Sequence, residues 1–132
     1  MSAERVTFLD SSAIVKLVVR ERESAALARY LRRKRPLVAS ALARVEVVRA
    51  AGLAGADVAH RAREVLARLA LVRINERVLA EAATMRPLEL RSFDAIHLAT
   101  AALFGDTLSR VVTYDERMAE AARGLGMNVV AP

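Results

Sequence analysis

Two aspartates stand at matching positions after two short, largely β-branched segments. Asp10 follows residues 6–9 and Asp115 follows residues 111–113, and a segment with helical periodicity begins near each. If these segments are parallel strands, both carboxylates lie at the carboxyl edge of the sheet, where open α/β folds bind ligands. Ser12 and Thr113 could offer hydroxyl groups at the same edge. Helix capping by the aspartates, and turn or cap hydrogen bonds by the hydroxyls, remain alternative roles.

Two further acids lie in helical segments with apolar surroundings. At helical spacing Glu46 is next to Leu42 and Ala50, and a carboxylate buried there is costly without a partner. A pair with Arg49 would provide that partner. Asp94 is the only formally charged residue of its helix. The helix dipole explains why an acid is tolerated at this N-terminus, but it does not explain why the rest is uncharged.

A shared site for these four acids would need a cation, because like charges repel and raise the pKa of at least one carboxyl group. The chain has no cysteine and only two histidines, which excludes thiolate zinc sites, disulfides and cysteine nucleophiles and argues against a histidine-rich metal centre. Oxygen ligands suit a hard cation, so we expect Mg²⁺, for which Mn²⁺ can substitute. Such a cation would neutralise charge on a phosphodiester and activate water, so no side-chain nucleophile is needed.

The charge balance favours a polyanionic partner. The chain has 21 basic and 15 acidic residues, a net charge of +6, and only two of the basic residues are lysines. A codon bias explains the preference for arginine over lysine, but it does not explain the excess of base. Arg91 directly precedes the helix of Asp94 and is the best candidate for a phosphate contact. The basic cluster within residues 29–35 fits a solvated helix C-terminus somewhat better than a strip that binds a polyanion, and both interpretations stay open.

Nothing in the composition indicates a membrane protein. Charged residues interrupt every apolar segment before it reaches the ~20 residues that a membrane span needs. The first residues lead into a strand-like segment without a signal-peptide core. We therefore expect a cytoplasmic protein with no membrane contact.

Short β-branched segments alternate with longer amphipathic ones along the whole chain, without a repeat or a linker. This alternation predicts an α/β fold, a three-layer α/β/α sandwich with a central parallel sheet, as one domain over residues 1–132. Residues 14–19 are apolar almost all round, which predicts a core face and a face for a dimer or protein partner. Strands are predicted at 6–9, 37–39, 71–74, 111–113 and 127–130, and helices at 11–19, 22–34, 40–51, 57–69, 76–85, 92–104 and 115–123. Ser11 or Ser12, Ser40 and Ser92 are the expected caps of three of these helices, and Gly105 is expected to end the sixth.

Around these acids the sequence resembles the PIN-domain ribonucleases, and among them the VapC-type toxins of bacterial toxin–antitoxin pairs. The resemblance is carried by residues 9–13, the helix that contains Glu46, residues 91–99 and residues 112–115. It implies a PIN-like fold and a magnesium-dependent endoribonuclease that hydrolyses RNA. It also implies a homodimer inhibited by a small antitoxin protein. The residues that it implies as metal-binding catalytic acids are Asp10, Glu46, Asp94 and Asp115, with Ser12 and Thr113 as auxiliary polar groups near the metal.

Two other classes of function deserve comparison. Receiver-like and haloacid-type phosphotransfer domains also place aspartates at strand ends around magnesium. The former add a lysine late in the chain, and here no lysine follows Lys34; the latter have an Asp-x-Asp motif, and here Ser11 and Ser12 follow Asp10. A non-catalytic RNA-binding or scaffold domain of PIN type would be favoured by the loss of one acid, and all four are present.

Overall fold

Five short strands form a single parallel sheet in this computed structural model, which describes residues 4–132. Residues 1–3, with which the predicted domain begins, lie outside the described residues. The strands run in the order β3-β2-β1-β4-β5, and every neighbouring pair is parallel. Their bounds are β1 (Val6–Leu9), β2 (Leu37–Ser40), β3 (Ala70–Val72), β4 (Leu108–Val112) and β5 (Val129–Val130).

Helices connect consecutive strands, because parallel strands need crossover connections. In the described residues they are α1 (Ser11–Val18), α2 (Ser24–Leu31), α3 (Ala43–Gly52), α4 (Ala56–Leu66), α5 (Glu76–Ala83), α6 (Ser92–Ala102) and α7 (Glu116–Gly124). Each predicted strand and helix has its counterpart here, and the α/β class with a parallel sheet is confirmed. None of the helices in residues 4–132 combines the length and the apolar character needed to cross a membrane.

The two faces of the sheet carry different helices. Leu9 and Val112 point to one face, where they pack with side chains of α1, α2, α3 and α4. Phe8 and Val111 point to the other face, where they pack with Ala101 of α6. Helices α6 and α7 meet on this second side, and α5 packs against α6. The alternation of side chains along β1 and β4 therefore produces the predicted three layers, since successive residues of a strand face opposite sides.

The order in which strands are added to the sheet reverses between β1 and β4. From β1 the chain continues outward through β2 and β3, and then crosses to β4 on the other side of β1 and ends at β5. Ligand sites of open α/β sheets lie at the carboxyl ends of the strands that flank such a reversal. Asp10 follows β1 and Thr113 follows β4, so the fold brings the two predicted strand-end positions side by side.

Several local expectations were wrong. Ser40 ends β2 instead of capping a helix, and α3 begins at Ala43 because the intervening residues form a turn that the Ser40 hydroxyl stabilises by accepting from the Leu42 amide. Ser92 is the first helical residue of α6 and does not cap it. Gly105 opens a short 3₁₀ turn after the helix has ended. Thr113 lies just beyond β4, which ends at Val112.

The apolar helix α1 packs one face into the core as predicted, and the contact of its other face with a partner stays a prediction. Val15, Leu17 and Val19 are partly buried and pack against the core formed with α2 to α4. The large apolar side chains that stay exposed in the described residues lie elsewhere, at Val45, Leu53, Leu79, Leu88, Phe93 and Leu125. Neighbouring helices of the same chain thus cover much of the surface that the sequence pattern assigned to a partner.

Candidate active site

A cavity of about 430 Å³ opens at the carboxyl edge of β1 and β4. It lies at the reversal of strand order, with α1, α3 and α6 around it. All four acids that the sequence singled out line this cavity, although they are spread over more than a hundred residues of the chain. Its polar lining consists of Asp10, Ser11, Ser12, Glu46, Arg91, Ser92, Asp94, His97 and Asp115.

Asp10 is the most deeply buried of the four acids, with 3% of its surface exposed. It is the N-cap of α1, and its Oδ1 accepts from the Ala13 amide at 3.0 Å. Asp10, and not Ser11 or Ser12, is therefore the cap of this helix. Burial raises the pKa of Asp10, although hydrogen bonds from Thr113, Ser12 and Ala13 oppose the shift. A raised carboxyl pKa was expected here, but its cause is loss of water and not repulsion among the acids.

Two hydroxyl groups hold the Asp10 carboxylate between β1 and β4. Ser12 Oγ donates to Asp10 Oδ1 at 2.7 Å and accepts from the Tyr114 amide at 3.0 Å. Thr113 Oγ1 donates to Asp10 Oδ2 at 2.5 Å and accepts from the Asp115 amide at 3.1 Å. The Thr113 hydroxyl thus makes a turn hydrogen bond, whereas the Ser12 hydroxyl connects α1 with the segment after β4, and both hydroxyls orient Asp10.

Glu46 pairs across the cavity and not along its own helix. Its Oε1 accepts from Ser11 Oγ at 2.7 Å and lies 2.5 Å from His97 Nε2, whereas the suggested pair with Arg49 is not formed. Partial burial acts to raise the pKa of Glu46, but the hydrogen bonds from His97 and Ser11 outweigh it and leave the pKa below its ordinary value. Neither His97 nor Ser11 was predicted from the sequence as a partner of Glu46. Spacing within one helix cannot reveal either contact, because both partners of Glu46 come from other helices.

Arg91 connects the remaining two acids. Its Nε donates to Asp94 Oδ2 and its Nη2 donates to Asp115 Oδ2, both at 3.2 Å. Asp115 is also the N-cap of α7, since its Oδ1 accepts from the amides of Arg117 and Met118. The capping alternative for Asp115 is therefore realised together with a position in the cavity. The adjacent Glu116 is exposed and outside the cavity lining.

The donor set suits a hard divalent cation, but the side chains as placed do not form a closed metal cage. Among residues 4–132, no three carboxylate or imidazole side chains stand close enough together to hold one metal ion. Each acid is instead turned toward its own partners: Asp10 to hydroxyls, Glu46 to His97, and the other two to Arg91. The Arg91 guanidinium shows that one cationic group can contact Asp94 and Asp115 at the same time. Carboxylate oxygens around a shared positive charge are what Mg²⁺ or Mn²⁺ requires.

The fold and this cavity define a class of protein: a doubly wound α/β domain with an acid-lined cleft at its switch point. The PIN-domain family profile matches residues 7–124, and the chain therefore belongs to the PIN-domain family. It is 56% identical over 125 residues to Ribonuclease VapC46 of Mycobacterium tuberculosis, covering 95% of this chain and 96% of that protein. It is 43% identical over 129 residues to Ribonuclease VapC35 of the same species, with the same coverage.

Solved structures show the same fold. The crystal structure of Mycobacterium tuberculosis VapC20, described as a toxin that cleaves the sarcin–ricin loop, superposes with a TM-score of 0.77 at 16% identity, covering 96% of this chain and 99% of that one. A toxin–antitoxin complex from Klebsiella pneumoniae gives a TM-score of 0.74 at 23% identity, covering 96% and 97%. At these identities the likeness concerns the architecture, and the predicted PIN-like fold is confirmed by it.

Proposed function

We propose that this protein is a divalent-cation-dependent endoribonuclease and the toxin of a type II toxin–antitoxin pair. The observation that carries the proposal is the meeting of Asp10, Glu46, Asp94 and Asp115 in one cavity at the switch point of the sheet. Two relatives that match nearly the whole chain are named ribonucleases, which supports RNA as the substrate. The structural neighbours include a toxin and a toxin–antitoxin complex, which supports the biological role.

The four carboxylates would hold Mg²⁺, or Mn²⁺ in its place. When bound, such a cation supplies a Lewis acid that offsets charge on the scissile phosphate and makes water a competent nucleophile at neutral pH. Ser12 and Thr113 keep the Asp10 carboxylate facing the cavity through the hydrogen bonds described above. Glu46 is held toward the same space by Ser11 and His97, and its lowered pKa keeps it ionised at neutral pH. Arg91, with its side chain 63% exposed, is placed to contact an RNA phosphate at the rim.

An antitoxin protein and a second copy of the chain are the proposed partners. The antitoxin is supported by the toxin–antitoxin complex that shares the fold. The homodimer follows from resemblance to the family. Analytical ultracentrifugation of the purified chain gives its mass in solution directly, and a monomer at all concentrations would refute the dimer.

The enzymatic proposal is tested by incubating the purified chain with end-labelled RNA in Mg²⁺, in Mn²⁺ and in excess EDTA. Asp94→Asn is the diagnostic variant, because Asp94 lines the cavity and is the sole charge of α6. Asp106→Asn is its matched control, since it makes the same chemical change at an exposed residue outside the cavity lining. Circular dichroism and melting curves establish that both variants fold.

We expect cleavage in Mg²⁺ or Mn²⁺, none in EDTA, and a loss of about a hundredfold or more for Asp94→Asn only, as is usual when a charge-stabilising group is removed. Cleavage that persists in EDTA would contradict the cation dependence. A folded Asp94→Asn variant with near wild-type activity would contradict the site assignment. RNA binding without cleavage in either metal would favour the non-catalytic alternative.

A further inference from the structure

The Arg91 side chain lies between two of the acids that line the cavity. Its guanidinium contacts Asp94 through Nε and Asp115 through Nη2, each at 3.2 Å. The sequence spacing explains the first contact, since Arg91 and Asp94 are three residues apart at the start of one helix. The second contact spans 24 residues and connects α6 with the N-terminus of α7. One arginine side chain thus neutralises two acids that come from different elements.

The exposure of these groups is unequal. The Arg91 side chain is 63% exposed, whereas those of Asp94 and Asp115 are 14% and 27% exposed. Ion pairs of an exposed side chain are weak and exchange readily, because water competes for both partners. Arg91 and Asp94 also border a second cavity of about 770 Å³, which runs between α7 and the segment before α6. The arginine therefore lies between two cavities and has open space on its far side.

The Asp115 carboxylate and the backbone of Asp94 are held by contacts that do not involve Arg91. Asp115 Oδ1 is fixed by the amides of Arg117 at 2.9 Å and Met118 at 3.1 Å, which leaves Oδ2 facing the arginine. Asp94 lies in the first turn of α6, a helix anchored in the core by buried residues such as Leu98. Loss of the arginine would thus remove a competing positive charge, while the Asp115 carboxylate keeps its two amide donors and Asp94 keeps its place in the first turn of α6.

We propose that Arg91 is an internal counter-ion that is exchanged for the divalent cation, so that binding of Mg²⁺ or Mn²⁺ requires Arg91 to leave Asp94 and Asp115. This inference rests on the proposed function, since it assumes that a cation binds to these acids. The guanidinium keeps the cation-free site neutralised, and its release frees it to bind an RNA phosphate at the boundary of the two cavities. Occupation of the site by cation and availability of Arg91 for RNA are thereby coupled.

Direct cation binding tests the exchange. The concentration of free Mn²⁺ is followed by electron paramagnetic resonance during titration of the full chain, after removal of metal with EDTA and dialysis. Arg91→Gln removes the charge but keeps a polar side chain, and Arg91→Lys keeps the charge but loses the two-pronged contact. Arg86→Gln is the control: Arg86 borders the second cavity, and within the described residues it forms no ion pair. Asp94→Asn identifies which binding belongs to the site.

Removal of two partly exposed ion pairs corresponds to an affinity change of about five- to tenfold, so Arg91→Gln should bind Mn²⁺ more tightly by that factor. Arg91→Lys should fall between Arg91→Gln and wild type. Arg86→Gln should stay within about twofold of wild type, since an exposed charge that forms no ion pair with either acid is largely screened by water and salt. Binding that depends on Asp94 but is unchanged or weakened by Arg91→Gln would overturn the exchange and leave the metal site standing. An equal gain in Arg86→Gln would also overturn it, because general charge would then be the cause. Absence of any Asp94-dependent binding in all variants would overturn the metal site and the exchange with it.

Discussion

Replacement of Thr113 by valine tests the hydrogen-bond network beneath the cavity. Valine has nearly the same shape as threonine but lacks the hydroxyl, so the change isolates a polar contribution. In the structure that hydroxyl donates to Asp10 Oδ2 at 2.5 Å and accepts from the Asp115 amide at 3.1 Å. Thr113 and Asp10 are 1% and 3% exposed, so water cannot readily replace the lost donor.

The expected cost follows from these two contacts. A hydrogen bond to a charged group contributes roughly 1.5–3 kcal/mol, and a donor left unpaired costs roughly 1–3 kcal/mol when it is fully buried. The Asp115 amide is only partly buried and retains some access to water. We therefore expect Thr113→Val to lower the free energy of unfolding by about 3 kcal/mol at neutral pH in EDTA. Thr113→Ser keeps the hydroxyl and should cost about 1 kcal/mol for the lost methyl group.

The loss of stability in Thr113→Val should depend on the charge of Asp10. Burial raises the pKa of this carboxyl, so its contribution to stability is complete below the unfolded value of 3.8 and declines as pH rises through the folded value. Without the Thr113 hydroxyl the pKa of Asp10 in the folded protein rises further, so the decline of stability with rising pH becomes larger. The difference in stability between wild type and Thr113→Val should therefore be small near the unfolded pKa of 3.8 and widen as pH rises through the raised folded pKa of Asp10.

Urea unfolding followed by circular dichroism measures these differences in the wild type, the two Thr113 variants, Asp10→Asn and the double variant Asp10→Asn/Thr113→Val. If the hydroxyl acts through the carboxylate, the double variant should be more stable than the sum of the single losses predicts, by about 1 kcal/mol or more. Strict additivity, or a Thr113→Val variant within about 0.5 kcal/mol of wild type, would refute the reasoning.

Three further outcomes are expected. RNA products should carry 5′-phosphate and 3′-hydroxyl ends, and a single 2′-deoxy substitution at the cut site should still be cleaved; end-specific ligation checks this, and 2′,3′-cyclic phosphate ends would contradict it. Phe8→Ala should lower the free energy of unfolding by about 3–5 kcal/mol, because Phe8 is fully buried, whereas Phe93→Ala at a residue 55% exposed should cost far less in the same urea titration. In a Tyr30→Phe background, phenolate absorbance should place the pKa of Tyr114 above 10.0, since burial and nearby Glu23 disfavour the ionised form. A Tyr114 midpoint at or below 10.0 would show that the ring is not shielded from water.

The architecture could be predicted because its signal is repeated along the chain. Each strand is a short β-branched segment and each crossover an amphipathic one, so the alternation alone implies a parallel sheet. The convergence of Asp10 and Asp115 was also predictable, because the ends of parallel strands share one edge. Glu46 and Asp94 could be added because each is an acid on an otherwise apolar or uncharged helical surface.

Helix starts were harder to predict, since several adjacent residues can cap a helix equally well. Asp10, Ser11 and Ser12 all have suitable side chains, and the structure uses Asp10 as the cap. Capping by Asp10 was one of the roles that the sequence left open, and in the structure it is accompanied by a hydrogen bond from Thr113, more than a hundred residues away, to the other carboxylate oxygen. The local sequence offers all three caps but does not contain this tertiary contact.

The partners of the four acids were the part of the site that was hardest to predict from the sequence. The spacing of Arg91 and Asp94 is visible in the sequence, but the second contact of Arg91, with Asp115, depends on how α6 and α7 pack. His97 and Glu46, which are 51 residues apart in the sequence, form a pair that connects α6 with α3. Such contacts decide whether an acid is free or already neutralised, and they follow only from the assembled layers.

The pairing of β1 with β4 has a consequence for how this protein is made. Val6 aligns with Leu108 and Leu9 with Val112, so the first strand lies against a partner that is synthesised about a hundred residues later. Contacts between such distant segments form late, because the entropy cost of closing a long loop comes before the contacts can stabilise the fold. A nascent chain still lacking β4 and Asp115 has only part of the acidic cavity. During translation the ribosome that makes this chain is therefore exposed to an incomplete cavity, and the four acids come together only after β4 and Asp115 have emerged.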